Sequence, residues 1–322
     1  MNKIGIVIVL GAILILVGCN TNLYSIDKSN ETVTKDNGEV LDKEDNTIVK
    51  NTVSKETEVK QSEGKEKTFT SVYSSVPSPK NPSIQKNANQ KEGNNFDDKK
   101  IAWWIQLNKN HEPSVITNKT KDLIDKYGAI YLGDTSKKNI YLTFDEGYEN
   151  GNTSTILDIL KENKVKAIFF ITGSYLKQNP ELVKRMIDEG HQIGNHTVSH
   201  KSLPTLSDEK VKEEVLNLDR ELQAKYNYKS KYIRPPMGEY NERILALCRD
   251  IGYKTSFWSF AYKDYDVNNQ KGAENAYNTV IKYLHNGGVY LLHAVSKDNT
   301  EALDKIIKEI RAEGYTIKTY NL

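Results

Sequence analysis

Three groups of polar residues have types and spacings suited to hydrolytic chemistry. Asp145 and Glu146 are adjacent acids at the end of the apolar run NIYLTFD, and His293 ends the apolar run VYLLH. His196 and His200 are four residues apart, so on a helical turn their imidazoles would share one face and bind a single cation. Each group alone has an ordinary structural explanation. Their occurrence together in one domain favours a site with metal ligands, a general base and a general acid.

The elements that must position these residues alternate between strand-like and helical patterns, which predicts an α/β domain from about residue 101 to 322. Seven strands with helices between them favour a closed or nearly closed parallel barrel over an open sheet, although periodicity alone leaves closure open. The carboxyl ends of parallel strands meet at one edge, where the three polar groups are expected to converge. The predicted strands are Asn139–Asp145, Lys166–Thr172, Gln192–Asn195, Tyr232–Ile233, Lys254–Phe260, Val289–His293 and Tyr315–Tyr320.

Helix boundaries are indicated by a few local signals. Pro180 stands at a suitable first helical position, and Gly190 suits the residue after the helix end. Ser207 is a candidate N-cap for a helix with apolar residues at helical spacing from Val211 onward. Cys248 lies in a similar apolar pattern and is expected in the core.

The N-terminal part of the chain carries a targeting signal and a linker. Lys3 precedes an apolar run that ends in Leu-Val-Gly-Cys at Cys19, and the run is shorter than the roughly 20 residues of a membrane span. This ending resembles a bacterial lipobox, so residues 1–19 are predicted to be a lipoprotein signal peptide with Cys19 lipidated. An ordinary signal peptide or a short membrane anchor are the alternatives. Residues 20–100 are polar and without lasting periodicity, which predicts a disordered linker.

Bulk composition excludes some classes of function. Lysine plus arginine number 45 and aspartate plus glutamate 43, a net charge of +2, which gives no sign of a nucleic-acid-binding surface. The two cysteines, Cys19 and Cys248, stand in different contexts, so a disulfide framework is not expected. A monomer on the outer face of the bacterial cell membrane is the default expectation.

Four segments together resemble one known family. TFDEG at Asp145, HTVSH at His196, RPPMG beginning at Arg234, and LLHAVS at His293 are similar to the polysaccharide deacetylases with a NodB-type domain. The resemblance covers roughly residues 100 to 322. FDEGYEN and NNQKG resemble most closely the delta-lactam-biosynthetic branch, which acts on peptidoglycan N-acetylmuramic acid. The resemblance implies a distorted (β/α)7-type barrel.

The resemblance also implies catalytic roles. Asp145 would be the general base that deprotonates water, and Arg234 would pair with it and hold it ionised. His293 would be the general acid that protonates the leaving amine, supported by Asp264. Residues expected along the substrate groove are Tyr148, Pro235 and Trp258.

The metal site is where this sequence departs from the family. His196 and His200 would bind a divalent metal together with the acid at position 146, but the common pattern has two aspartates and the muramic-acid branch often has asparagine second. Glu146 is one methylene longer than aspartate and would either reach the metal or leave a two-histidine site completed by water. The donors suit zinc, and also cobalt, nickel or manganese.

The resulting hypothesis is metal-dependent de-N-acetylation of peptidoglycan N-acetylmuramic acid, leading to muramic δ-lactam in the spore cortex. One alternative is deacetylation of N-acetylglucosamine in the same wall or of another acetylated polysaccharide. An alternative of another class is a tethered glycan-binding lipoprotein with a degenerate site. Retention of Asp145, Arg234 and His293 argues against it, because binding alone needs neither a base nor an acid.

Overall fold

The structure is a computed structural model that describes residues 98–321. The predicted signal peptide 1–19, with Cys19, and the predicted linker up to residue 97 lie outside the described residues. Residues 98–100 are exposed and irregular, and Lys100 forms an ion pair with Glu239 at 2.7 Å. Within the described range, no helix combines the length and apolar character needed to cross a membrane.

The described chain alternates nine strands with eight helices. The strands are β1 (Ile101–Ala102), β2 (Asn139–Glu146), β3 (Ile168–Ile171), β4 (Gln192–Asn195), β5 (Tyr232–Ile233), β6 (Glu239–Tyr240), β7 (Lys254–Thr255), β8 (Gly288–His293) and β9 (Thr316–Ile317). The helices are α1 (Asn118–Tyr127), α2 (Thr153–Glu162), α3 (Gly173–Gln178), α4 (Pro180–Asp188), α5 (Asp208–Tyr226), α6 (Glu242–Asp250), α7 (Ala273–Lys282) and α8 (Lys297–Ala312).

Seven of the strands form one parallel sheet that curls into a distorted barrel. Six of them follow the order β7-β5-β4-β3-β2-β8, and β9 pairs with the start of β2. The two ends of this order are joined by a single parallel bridge between Phe260 and Tyr290, supported by a hydrogen bond from the Ser259 amide to the Val289 carbonyl. The barrel is therefore nearly closed, as predicted, with this bridge in the place of a full ladder between β7 and β8.

All seven predicted strands are present, but two are much shorter than predicted and one further strand pair was not predicted. The run Tyr315–Tyr320 is a regular strand only at Thr316–Ile317. The run Lys254–Phe260 is a regular strand only at Lys254–Thr255, because the Ser256 amide bonds back to β5 while the chain from Ser259 onward bonds to β8. The antiparallel pair β1–β6 was not predicted.

The helix signals are confirmed. Helix α4 begins at Pro180, and Gly190 adopts a φ of 78° just after the helix end. The Ser207 side chain accepts a hydrogen bond from the Lys210 amide at the start of α5. Cys248 is fully buried in an apolar cluster, as expected for a core residue.

Candidate active site

Alternation along β2 decides which side chains face the barrel interior. Tyr141 packs in the cluster that fills the barrel, and the Thr143 hydroxyl and Asp145 carboxylate both contact a buried arginine there. Phe144 belongs to the larger core between the sheet and its outer helices. Successive strand residues point to opposite faces, so Asp145 faces inward and Glu146 faces the helices.

The buried arginine is Arg234, which follows β5. Its Nη1 donates to Asp145 Oδ1 at 2.6 Å and to Thr143 Oγ1 at 2.9 Å, and its Nη2 donates to the Phe257 carbonyl at 3.3 Å. The guanidinium also lies over the Phe170 ring, 4.0 Å from its centroid. Burial favours the neutral carboxyl, but the adjacent guanidinium outweighs it and lowers the pKa of Asp145 below its usual value. Asp145 is thus an ionised base held in one orientation.

His196 and His200 approach Asp145 from the end of β4. His196 Nε2 lies 3.6 Å from Asp145 Oδ2, and the two imidazole centroids are 4.8 Å apart. The expected helical turn is wrong, because the segment is a loop in which Thr197 and His200 have φ values of 68° and 55°. The loop nevertheless brings both rings to the same cavity.

Side-chain hydrogen bonds that the sequence did not suggest hold this loop. Asn195 Oδ1 accepts the Thr197 amide at 2.8 Å, and Thr197 Oγ1 accepts the His200 amide at 3.0 Å. The Ser199 amide donates to a Glu214 carboxylate oxygen at 2.8 Å, tying the loop to α5. Asparagine and threonine stabilise irregular backbone in this way, so the left-handed residues are fixed by local chemistry.

The histidine pair has the electronic state that a metal site requires. His196 Nδ1 lies 2.8 Å from the Arg234 carbonyl oxygen, which can only accept, so Nδ1 carries the proton and the Nε2 lone pair faces the cavity. Burial lowers the pKa of His196 to about 4 and also lowers that of His200, so both rings are neutral near pH 7. Between residues 98 and 321, no three His, Cys, Asp or Glu side chains form a ready-made metal cage. The histidines fit a two-ligand site that water or Asp145 would complete.

Of the two alternatives for Glu146, its position in the structure favours the one in which it does not complete the site. Glu146 is fully buried on the outer face of β2, and neither of its carboxylate oxygens accepts a hydrogen bond in good geometry from any described residue. Burial raises its pKa well above the usual value, and the nearby carboxylates of Glu149 and Asp145 raise it further. Its remaining neighbours are Thr153 and Tyr175 on the helix side. Glu146 is therefore a neutral buried acid behind the site.

His293 and Asp264 form a second pair beside the first. The β2–β8 register places His293 directly opposite Asp145. His293 Nδ1 lies 2.7 Å from Asp264 Oδ1, and the His293 amide donates to Asp264 Oδ2 at 2.8 Å. Burial alone would lower the pKa of His293, but the Asp264 carboxylate overcomes it and raises the pKa above its usual value. The Asp264 carboxylate consequently favours the protonated form of His293.

These groups open onto one cavity of about 750 Å³. Tyr148 and Trp258 line it, as predicted for the groove, and Tyr148 is 49% exposed. Pro235 is buried and does not line the cavity, and the exposed Met237 takes its place there. Tyr265, which the sequence did not single out, stands edge-on to His293 with ring centroids 5.5 Å apart.

Comparison with known proteins places this site in a family. Residues 132–256 match the family model for polysaccharide deacetylases. The chain is 45% identical over 223 residues to the peptidoglycan-N-acetylmuramic acid deacetylase PdaA of Bacillus subtilis, an alignment that spans 68% of this chain and 84% of that protein. It is 35% identical over 187 residues to a peptidoglycan-N-acetylglucosamine deacetylase of Bacillus cereus, spanning 57% of this chain and 87% of that protein.

Solved structures agree with the sequence comparison. The structure of Bacillus subtilis PdaA, described as a family 4 carbohydrate esterase, has a TM-score of 0.68 and 44% identity, and the match covers 69% of this chain and 95% of that chain. The fold, the positions of the acid, base and histidine groups, and the extent of these matches lead to one conclusion: this chain belongs to the polysaccharide deacetylase family.

Proposed function

We propose that this protein hydrolyses the N-acetyl group of N-acetylmuramic acid in peptidoglycan. The observation that carries the proposal is the pairing of Asp145 with His293 across β2 and β8, with their pKa values shifted in opposite directions. A lowered pKa keeps the carboxylate charged, and a raised pKa keeps the imidazole protonated. One cavity therefore holds a base and an acid that are both ready at the same pH.

Asp145 acts as the base toward a water molecule in the cavity. Its Oδ1 is occupied by Arg234 at 2.6 Å, whereas its Oδ2 lies on the side of His196 at 3.6 Å. The carboxylate accepts the proton from water as the oxygen attacks the acetyl carbonyl carbon. Arg234 prevents rotation of the carboxylate during this step, because its guanidinium is fully buried and bonded on several sides.

His293 acts on the other side of the acetamido group. Amide hydrolysis needs a proton on nitrogen, because an amine anion is a very poor leaving group. The Asp264 carboxylate holds the Nδ1 side of the ring, so the Nε2–H is the proton available to the substrate nitrogen. Transfer of that proton as the carbon–nitrogen bond breaks releases acetate and leaves the free amine.

His196 and His200 would hold the divalent metal that the family resemblance implies. Such a cation polarises the acetyl carbonyl and lowers the pKa of water. The donors suit zinc first, with cobalt, nickel and manganese as alternatives. Neutral imidazoles with a fixed tautomer are the contribution of this chain to that binding.

The choice of sugar is supported by similarity. The chain is more similar to a deacetylase of N-acetylmuramic acid than to one of N-acetylglucosamine, at 45% against 35% identity. We infer that the freed amine closes onto the lactyl carboxyl of a peptide-free muramic residue and gives muramic δ-lactam in the spore cortex. Deacetylation of N-acetylglucosamine is the second candidate, favoured by the Bacillus cereus relative. The ion pairs Arg234–Asp145 and His293–Asp264 argue against a glycan-binding protein without activity, because binding alone needs neither a base nor an acid.

The place of action is proposed from the sequence. The lipobox-like ending at Cys19 supports a lipid anchor on the outer face of the bacterial membrane, with residues 20–100 as a tether toward the wall. The enzyme would act there as a monomer on glycan strands. Metabolic labelling with a fatty acid, compared between the native chain and Cys19→Ala, tests the anchor, and retention of label by the variant would refute it.

Acetate release from peptidoglycan tests the activity. The purified protein is incubated with intact and peptide-free glycan, without metal and with zinc, cobalt, nickel or manganese, and the digested fragments are analysed by mass spectrometry. We expect metal-dependent loss of acetyl from muramic acid, abolished in Asp145→Asn. Loss from glucosamine instead would overturn the sugar assignment, and no release from any glycan would overturn the proposed activity.

A further inference from the structure

The carboxylate that supports His293 is itself held by a third residue. Asp264 is buried, and besides its two bonds from His293 it accepts a hydrogen bond at Oδ2 from Asn299 Nδ2 at 2.6 Å. Both oxygens of Asp264 are therefore occupied, one by the imidazole and the other by a backbone amide and a side-chain amide. The Asn299 side-chain amide is the one of these donors that can be removed by substitution without changing His293, the proposed general acid.

Asn299 is built into the start of α8. Its side chain is almost fully buried, and its backbone N–H donates to the Ser296 hydroxyl that caps the helix, at 3.2 Å. The Tyr262 hydroxyl donates to Asn299 Oδ1. Because Oδ1 accepts from tyrosine and a carboxylate cannot donate, the amide orientation is determined by its partners and Nδ2 must face Asp264.

The backbone of the same loop is fixed by a second amide side chain. Gln270 Nε2 donates to the carbonyls of Asp264 at 3.1 Å and Asp266 at 2.9 Å. Its Oε1 accepts from the Ser296 hydroxyl at 2.8 Å. The loop that carries Asp264 is thus tied to the first turn of α8 through its backbone by Gln270, and through its carboxylate by Asn299.

We propose that Asn299 is a positioning residue for proton donation, acting through Asp264 on His293. Its Nδ2 prevents the buried carboxylate from rotating and so keeps the imidazole aimed at the substrate nitrogen. A displacement of about 1 Å in such a group costs on the order of 100-fold in rate. The kinetic part of this inference rests on the proposed function, whereas the effect on the imidazole does not.

The test compares Asn299→Leu with a matched variant in the same helical turn. Leucine keeps the branching of asparagine at Cγ, with bulkier methyl groups, and removes the donor. Thr300→Val removes a buried hydroxyl that donates to the Ser296 carbonyl at 2.9 Å and does not contact Asp264. Asn299→Ser is the second variant, because it avoids an apolar side chain against the carboxylate and is still too short to reach it.

Two readouts separate positioning from simple destabilisation. We expect both Asn299 variants to lower kcat for acetate release by about 10- to 100-fold with KM within about twofold, as when other supporting hydrogen bonds are removed. Thr300→Val should keep kcat within about twofold. Long-range proton–nitrogen NMR spectra of the His293 ring should show a single state in the wild type, with Nδ1 bonded to Asp264 and both ring nitrogens protonated below the pKa of the ring. Altered nitrogen shifts are expected in the Asn299 variants alone.

The outcomes distinguish this inference from the proposed activity. If no glycan releases acetate but the His293 signals change in the Asn299 variants, the activity is wrong and the positioning role stands. If the variants change neither kcat nor the ring signals, or if Thr300→Val changes both equally, the positioning role is overturned.

Discussion

Replacing Glu146 by glutamine is expected to make the protein progressively more stable than the wild type as pH rises above 4.5. Burial and the nearby Glu149 carboxylate raise the pKa of Glu146 well above its usual value, so the folded protein binds a proton that the unfolded chain releases. Wild-type stability therefore falls as pH rises from the unfolded pKa toward the folded one. The slope from a single such group is at most about 1.4 kcal/mol per pH unit. Glutamine does not titrate and removes this slope.

Urea unfolding at half-unit steps between pH 5 and 8 measures the effect. The free energy difference between Glu146→Gln and wild type should grow by up to about 3 kcal/mol over two pH units. The free energies of unfolding of the two proteins should also differ by an amount that does not depend on pH, because the glutamine amide makes its own contacts beside Glu149. The pH dependence of the difference is therefore the test. Glu162→Gln, the same change at an exposed position at the end of α2, should give a difference without this slope.

Metal binding gives a second and independent result for the same variant. Since Glu146 lies on the outer face of β2, Glu146→Gln should bind zinc within about threefold of wild type in calorimetry, whereas His200→Ala should bind at least about 100-fold more weakly. If the difference in free energy of unfolding between Glu146→Gln and wild type does not change with pH, Glu146 is not a neutral buried acid in the folded protein. If Glu146→Gln loses as much zinc affinity as His200→Ala, Glu146 is a metal ligand.

Three further predictions concern the cavity. Asp145→Asn should lower kcat for acetate release by about 100-fold or more while glycan affinity, measured by calorimetry, is retained, because the base is lost and the shape is kept. Asp264→Asn should move the alkaline limb of the kcat/KM profile to lower pH, since the charge that raises the pKa of His293 is removed; an unmoved limb would contradict the role of the pair. Tyr265→Ala should raise KM several-fold with little change in kcat, because the exposed ring offers a stacking face at the cavity mouth; steady-state kinetics on peptide-free glycan would detect it.

Much of the fold was predictable because buried parallel strands leave a strong sequence signal. Runs such as Asn139–Asp145 and Val289–His293 are almost continuously apolar, as expected when both faces of a strand are covered. The same signal overestimated the strand at Lys254–Phe260, since a buried crossing segment is as apolar as a strand. Hydrophobicity reports burial, and hydrogen-bond partners decide where a strand ends.

The site was predictable in its residue types and less so in its local geometry. A four-residue spacing brings His196 and His200 together on a helix, but the loop found here achieves the same contact with two left-handed residues. That loop depends on Asn195 and Thr197, whose side-chain hydrogen bonds to the backbone leave no distinctive pattern in the sequence. Asn299 was missed for a similar reason, because its partner Asp264 is distant in sequence and adjacent only in the fold.

Asp145 and Glu146 face opposite sides of the sheet because β2 extends one residue beyond Asp145. Two adjacent acids can face the same cavity only if the strand ends before the second one. Here β2 continues through Glu146, which pairs with Ile171 of β3, so the pleat turns its side chain toward the outer helices. An added methylene cannot reverse that direction, however long the side chain. The residue type at position 146 therefore indicated a metal ligand, while the sheet register places its buried side chain on the outer face of β2, away from the cavity.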